Sequence, residues 1–151
     1  MQPLSEVGPI HAADLPRVLE VWEASVRATH HFLTEADIQF FKPSLQEELP
    51  QTPHLVGMRD GASEVIGFMG VAGNMIEMLF IHPDWRGRGV GRHLITYAIA
   101  TLGATLVDVN EQNPQAIRFY LRMGFVVVNR SELDSTGKPF PLLHMRLVGA
   151  G

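Results

Sequence analysis

The sequence predicts one mixed α/β domain, α+β in some schemes, whose central sheet is flanked by helices. Three observations predict it. Apolar residues recur at three-to-four spacing in segments on either side of several short, turn-bounded strand patterns. A glycine-rich turn joins one of these strands to a helix, and no repeat, linker or low-complexity stretch divides the 151 residues, so 1–151 is expected to form a single unit.

Composition sets the outer limits. With 46% hydrophobic and 19% charged residues, the chain can fill a core and is expected to be a soluble, folded protein. A net charge of -4 offers no general attraction to nucleic acid or anionic lipid, so neither is an expected partner. The lack of cysteine excludes disulfides, thiolate catalysis and cysteine-bound zinc. Met1–Ile10 has no secretory pattern and no stretch has membrane-spanning length, which makes the cytoplasm the expected location.

Taken in order, Leu4–Ile10 is a short candidate edge strand. Asp14, with Pro16 behind it, marks a helix start; Leu15, Val18, Leu19, Trp22 and Val26 give it one apolar face to about Ala28. A loop runs to Leu33. Thr34 with Asp37 three residues on opens a second helix, ending either before Pro43 or near Glu48. His54–Met58, Glu64–Val71 and Asn74–Ile81 then form an antiparallel meander, its first turn being Arg59-Asp60-Gly61.

From Gly89 the period becomes helical, with Val90, Leu94, Ala98 and Leu102 on one side and Gly103 as the stop. Thr105–Val109 is a strand. Asn113-Pro114 opens a helix carrying Ala116, Phe119, Tyr120 and Met123, and Gly124 ends it. Phe125–Asn129 and Leu142–Val148 complete the sheet, while Trp22 and Trp85 are assigned to packing or to a rim.

The segment Asp84-Trp85-Arg86-Gly87-Arg88-Gly89-Val90-Gly91-Arg92 lies between a strand and a helix start. Glycines let the backbone curl around a ligand, and a helix start offers free N–H groups and positive potential to an anion. A phosphate site follows. A Walker loop needs lysine and serine or threonine after its last glycine, where this chain has Arg92 and His93. A dinucleotide fingerprint lacks its third glycine at Arg92 or Leu94, although Asp108 lies downstream, so that reading ranks second.

Arg86-x-x-Gly89-x-Gly91 after Ile76–Pro83, followed by Val109-Asn110, Asn113-x-x-Ala116-x-x-Phe119-Tyr120 and Gly124-Phe125, resembles the GNAT acetyltransferases over the second half of the chain. Ala28-Thr29-His30, Phe32-Leu33 and Gly137-Lys138-Pro139 resemble its bacterial YjaB-like branch. The resemblance implies acetyl-CoA as co-substrate and a splay between two parallel strands, around Leu79 and Val109, that takes the pantetheine arm. It implies cofactor contacts at Leu79, Phe80 and Ile81, along Arg86, Gly87, Arg88, Gly89, Val90, Gly91 and Arg92, and at Asn113, Ala116 and Phe119.

Acyl transfer to a primary amine requires loss of a proton from the incoming ammonium and donors for charge developing on the carbonyl oxygen. The resemblance places those donors on the backbone between Leu79 and Ile81, and assigns Tyr120 to protonate the leaving sulfur; a core tyrosine is the alternative. Strand alternation puts Glu77 with Leu79 and Ile81, where apolar neighbours would make it harder to ionise and better suited as a base. An exposed or ion-paired carboxylate is the other reading. Asn110 is expected to orient ligand or to cap its strand.

His30 and His31, between the first two helices, are candidates to line the acceptor site, and either is a possible base near neutral pH. Neither makes a metal site without a third ligand, so none is expected. The acceptor is a small-molecule or protein amine, and the assembly a monomer or homodimer. A non-enzymatic CoA-binding sensor or interaction module is the competing function.

Overall fold

A computed structural model describes residues 5–149. Its strands are β1 (Gly8–Pro9), β2 (His54–Arg59), β3 (Val65–Ala72), β4 (Met75–Ile81), β5 (Leu106–Asn110), β6 (Phe125–Ser131) and β7 (Leu142–Leu147). They form one sheet in the order β1-β2-β3-β4-β5-β7-β6, antiparallel except between β4 and β5. The doubly wound parallel sheet used by dinucleotide enzymes is therefore not what this chain builds. The first strand is shorter than expected, and Leu4 lies outside the described residues.

Helices α1 (Leu15–Thr29) and α2 (Glu35–Glu48) cover one face; α3 (Val90–Leu102) and α4 (Pro114–Arg122) cover the other. Val18, Val21, Trp22 and Val26 of α1 meet Phe68 and Met78 of the sheet. On the opposite face Leu94, Ile95 and Ala98 of α3 and Tyr120 of α4 meet Ile66, Met69, Val107 and Phe125. Each helix thus buries its apolar stripe on the sheet, giving three layers and two cores.

Asp14 directly precedes α1, but its side chain does not cap that helix. It accepts the His11 N–H at 2.9 Å and pairs with Arg59 at 2.7 Å, tying the helix start to the end of β2. The Arg59 guanidinium, aided by the His11 N–H, holds the Asp14 carboxyl down at about 2. At α2 the expected reciprocal cap is present: Thr34 Oγ1 accepts the Asp37 N–H at 3.1 Å, and the Asp37 carboxylate accepts the Thr34 N–H at 2.9 Å. The helix continues through Pro43 to Glu48. Thr34→Ala should cost about 1 kcal/mol, measurable as a lower denaturation midpoint with activity retained.

The feature that positions the site lies in β4. Gly70 pairs with Met78 but Val71 pairs with Ile76, so Glu77 is an extra, bulged residue. Pairing of β4 with β5 stops at the same place, after Met75↔Leu106 and Ile76↔Val107. A bulge bends its own strand and raises its twist. Beyond Ile76, β4 and β5 diverge and open a wedge in the middle of the sheet.

Candidate active site

The wedge continues into a cleft of about 780 Å³. At one end of the cleft lies the glycine turn. Gly87 and Gly89 have φ of +74° and +84°, the left-handed region in which a side chain is strained. The first helical bond of α3 runs from the His93 N–H to the Gly89 carbonyl at 3.0 Å, leaving the N–H groups of Val90, Gly91 and Arg92 without partners inside the helix. A side chain at Gly91 would stand 3.4 Å from the Phe119 ring, which faces it from α4.

Of the turn residues expected to contact the cofactor, Arg86, Gly87, Gly89, Val90, Gly91 and Arg92 line the cleft. Arg88 does not; its guanidinium lies over the Trp85 ring, 4.8 Å from the centroid, so only its main chain belongs to the turn. Across the cleft, α4 contributes Gln115, Arg118 and Arg122, and Gln115 accepts a hydrogen bond from Arg86. With Arg86 and Arg92 this makes four guanidinium-bearing residues around one cavity in a chain of net charge -4. Such a wall attracts a polyanion while the molecule as a whole does not.

At the wedge the walls become apolar and main-chain. Leu79, Phe80 and Ile81 line the cleft from β4, and Asn113, Ala116, Phe119 and Tyr120 line it from α4. The His82 N–H donates to the Ile66 carbonyl across β3 at 2.8 Å. Alternation then turns the N–H groups of Leu79 and Ile81 to the other edge of β4, which β5 has left. Two main-chain donors consequently face the wedge.

Asn113 is buried at the start of α4, where its side-chain oxygen accepts the Ala116 N–H at 3.2 Å. Asn110 ends β5 and accepts the Gln112 N–H at 3.2 Å, so its oxygen is committed to the turn and its amide NH2 is what it can offer a ligand. Tyr120 is 5% exposed, with its ring edge-on to Phe119 and Phe125 at 5.1 and 5.6 Å. Its hydroxyl has no hydrogen-bond partner among the described residues, yet no buried polar atom there is left unpaired, so the oxygen meets the cleft rather than the core. Burial pushes the Tyr120 phenol up, which keeps its proton in place at neutral pH.

Glu77 departs from expectation. The bulge removes it from the simple alternation with Leu79 and Ile81, and it is exposed at the mouth of the wedge. It is the exposed carboxylate of the other reading rather than one buried among apolar neighbours.

The two histidines separate. His31 is exposed and lines neither cavity, so it does not join the site. His30 caps the end of α1 and lines both the cleft and the wedge, its ring tilted against Phe32 at 5.4 Å and Phe80 at 6.4 Å. Burial among these rings, helped by the charge of His31, lowers its pKa from 6.5 to about 4. The folded chain thus holds His30 neutral where the unfolded chain takes up a proton.

That difference fixes a sign. Between pH 6.5 and about 4 the unfolded state binds the additional proton, so stability falls as pH is lowered across this window. For a half-buried ring the loss should be about 1–2 kcal/mol after solvent screening. His30→Gln should flatten denaturation midpoints over that range, and an unchanged slope would assign the loss to other groups.

Several cleft residues were not among the sequence candidates: Ser25 and Thr29 of α1, Gln115, Arg118 and Arg122 of α4, and His93 of α3. The signal for Arg118 and Arg122 was available. They are four apart on the helix that carries Phe119 and Tyr120, one turn apart on the same side. Among the described residues no group of three or more acidic or histidine side chains is arranged to hold a metal, and no helix is long and apolar enough to cross a membrane.

A seven-stranded sheet parted between two parallel strands, with a glycine turn and helix start at the head of the cleft, is the architecture of an acetyltransferase. The model of the acetyltransferase (GNAT) domain matches residues 51–127, and the chain belongs to that family. Within it the chain is YjaB-like. The peptidyl-lysine N-acetyltransferase YjaB of Salmonella typhimurium strain LT2 is 41% identical over 129 residues, 85% of this chain and 88% of that one. Apo YjaB from Escherichia coli, a solution structure, superposes with a TM-score of 0.88 at 37% identity, over 97% of this chain and 99% of that one. The PaiA N-acetyltransferase of Thermoplasma acidophilum, solved in complex with coenzyme A, shares the fold with a TM-score of 0.74 at 20% identity, over 96% and 99% of the two chains.

Proposed function

We propose that the protein transfers an acetyl group from acetyl-CoA to a primary amine, the side chain of a lysine in a peptide or protein. The observation that carries this reading is the continuity of the cleft: one surface runs from the glycine turn and its arginines to the parted edge of β4, Tyr120 and His30. Its dimensions and wall chemistry suit a long ligand with an anionic head and an apolar arm. The lysine acceptor follows the peptidyl-lysine N-acetyltransferases that the chain resembles, and matches the His30 and Phe80 rings of the wall, which can take an alkyl stem.

In this reading the co-substrate supplies a thioester carbonyl. The chain does the rest. The N–H groups of Val90, Gly91 and Arg92 and the cleft arginines hold the pyrophosphate end. Asn113, Ala116 and Phe119 wall the arm. The main-chain N–H groups of Leu79 and Ile81 donate to the carbonyl oxygen as charge develops there. Tyr120 supplies a proton to sulfur as the carbon–sulfur bond breaks, the proton shed by the amine passes to solvent at the open mouth of the cleft, and Asn110 offers its amide at the far end of the wedge. Glu77 is a solvated carboxylate at the mouth, so Glu77→Gln should alter turnover far less than a change at Tyr120.

The test is release of free thiol from acetyl-CoA on addition of a short lysine peptide with a blocked N-terminus. Thiol release equal to acetyl-lysine formed is expected. CoA binding without transfer to this peptide or to a panel of small primary amines would favour a CoA-binding sensor. Failure to bind either CoA or acetyl-CoA would remove the proposal.

A further inference from the structure

The last turn of α1 holds a hydrogen-bond chain from the Ser25 carbonyl through Thr29 to the His30 ring. Thr29 Oγ1 donates to the Ser25 carbonyl at 2.8 Å and lies 2.8 Å from His30 Nδ1. A hydroxyl has one proton to give. With that proton on Ser25, Thr29 must accept from His30, so Nδ1 carries the hydrogen and Nε2 carries the lone pair. Nε2 has no hydrogen-bond partner among the described residues, and Ser25, Thr29 and His30 all line the cleft.

We propose that Thr29 is a positioning residue that sets the His30 tautomer, so that Nε2 accepts an N–H from the incoming amine and orients it toward the wedge. The inference rests on the acyl-transfer reading above. Several observations point the same way. His30 shares the wedge with Leu79 and Tyr120, the groups assigned to the carbonyl and the leaving sulfur, and with Asn113, which walls the arm. Contacts with Phe32 and Phe80 restrain the ring from flipping. The ring is neutral, so it does not repel a cationic amine, and the adjoining aromatic faces attract one. The opposite tautomer would present a donor to the amine and lose the contact with Thr29.

A threonine that bonds back to the fourth preceding carbonyl is a common local device at a helix end. That device alone needs only the bond to Ser25. The additional contact with Nδ1 is what connects it to the site, and the two roles are separable by experiment.

In 15N-labelled protein the imidazole correlation of His30, assigned by its disappearance in His30→Gln, should show the neutral form protonated at Nδ1. Thr29→Val keeps the side-chain shape and removes the hydroxyl. It should shift that signal toward a mixture of tautomers and raise KM for the blocked lysine peptide about tenfold, leaving KM for acetyl-CoA unchanged. Thr29→Ser should restore both. A wild-type ring protonated at Nε2, or a Thr29→Val protein with wild-type spectrum and wild-type peptide KM, would overturn the inference. The spectrum is read on the free protein, so a chain that failed to transfer acetyl at all would remove the function reading and still leave the tautomer decided.

Discussion

Tyr120→Phe is expected to lower kcat about 100-fold while leaving the affinity for CoA unchanged, the range being that of losing one general acid. The substitution is clean because of how the residue is held. Phe119 and Phe125 grip the ring edge-on, contacts that phenylalanine repeats, and the hydroxyl has no partner among the described residues to be left behind. The thermal midpoint should therefore hold. Burial raises the phenol pKa, so the proton is available throughout the neutral range and no new titration should enter the rate profile. Steady-state rates with a saturating lysine peptide, set beside CoA titrations, check both halves. Wild-type turnover in Tyr120→Phe would end its role as an acid, and lost CoA affinity would make it part of the wall instead.

Gly91→Glu should weaken CoA binding by about 100-fold or more without unfolding the protein, because a like charge set against an anion costs several kcal/mol. Gly91 lies in the first turn of α3 with ordinary helical backbone, and a Cβ there meets only the Phe119 ring at 3.4 Å. An acidic residue in a helix's first turn is favourable to the helix itself. Fold and function are thus pushed in opposite directions by one carboxylate. Calorimetric titration with CoA, together with a thermal melt, separates them. Undiminished affinity in a folded Gly91→Glu protein would mean that the anion does not sit at this turn.

How much of this was legible in the sequence depends on how local each cause is. The glycine turn was legible because its glycines and a helix start declare themselves within six residues. The Thr34–Asp37 cap was legible for the same reason. The bulge at Glu77 was not. Ile76-Glu77-Met78 shows no glycine or proline, and only the register against β3 makes Glu77 the extra residue. Its exposure follows from that register, which the residues of the strand itself do not announce. Asp14 was placed at the right point of the chain but in the wrong bond, since its partner Arg59 is 45 residues away. His30 and His31 are neighbours with the same titration range, and which of them enters the cleft is set by the end of α1 and the rings of Phe32 and Phe80.

The same contrast applies to the wedge. The resemblance supplied two parallel strands that part, while the physical cause is a bulge at the position where their pairing ends. A strand pair that diverges there exposes main-chain donors in the middle of a sheet, where they would otherwise be consumed by the ladder. The α4 residues that complete the opposite wall, Arg118 and Arg122, repeat at a helical turn and are recognisable once the cleft has been located.

The most direct measurement is a crystal structure of the protein with CoA. It should place the pyrophosphate on the N–H groups at the start of α3, the arm between β4 and β5, and the thiol sulfur beside the Tyr120 hydroxyl with His30 facing it across the wedge. Density for CoA outside the parted strands, or with its thiol directed away from Tyr120 and His30, would contradict the account.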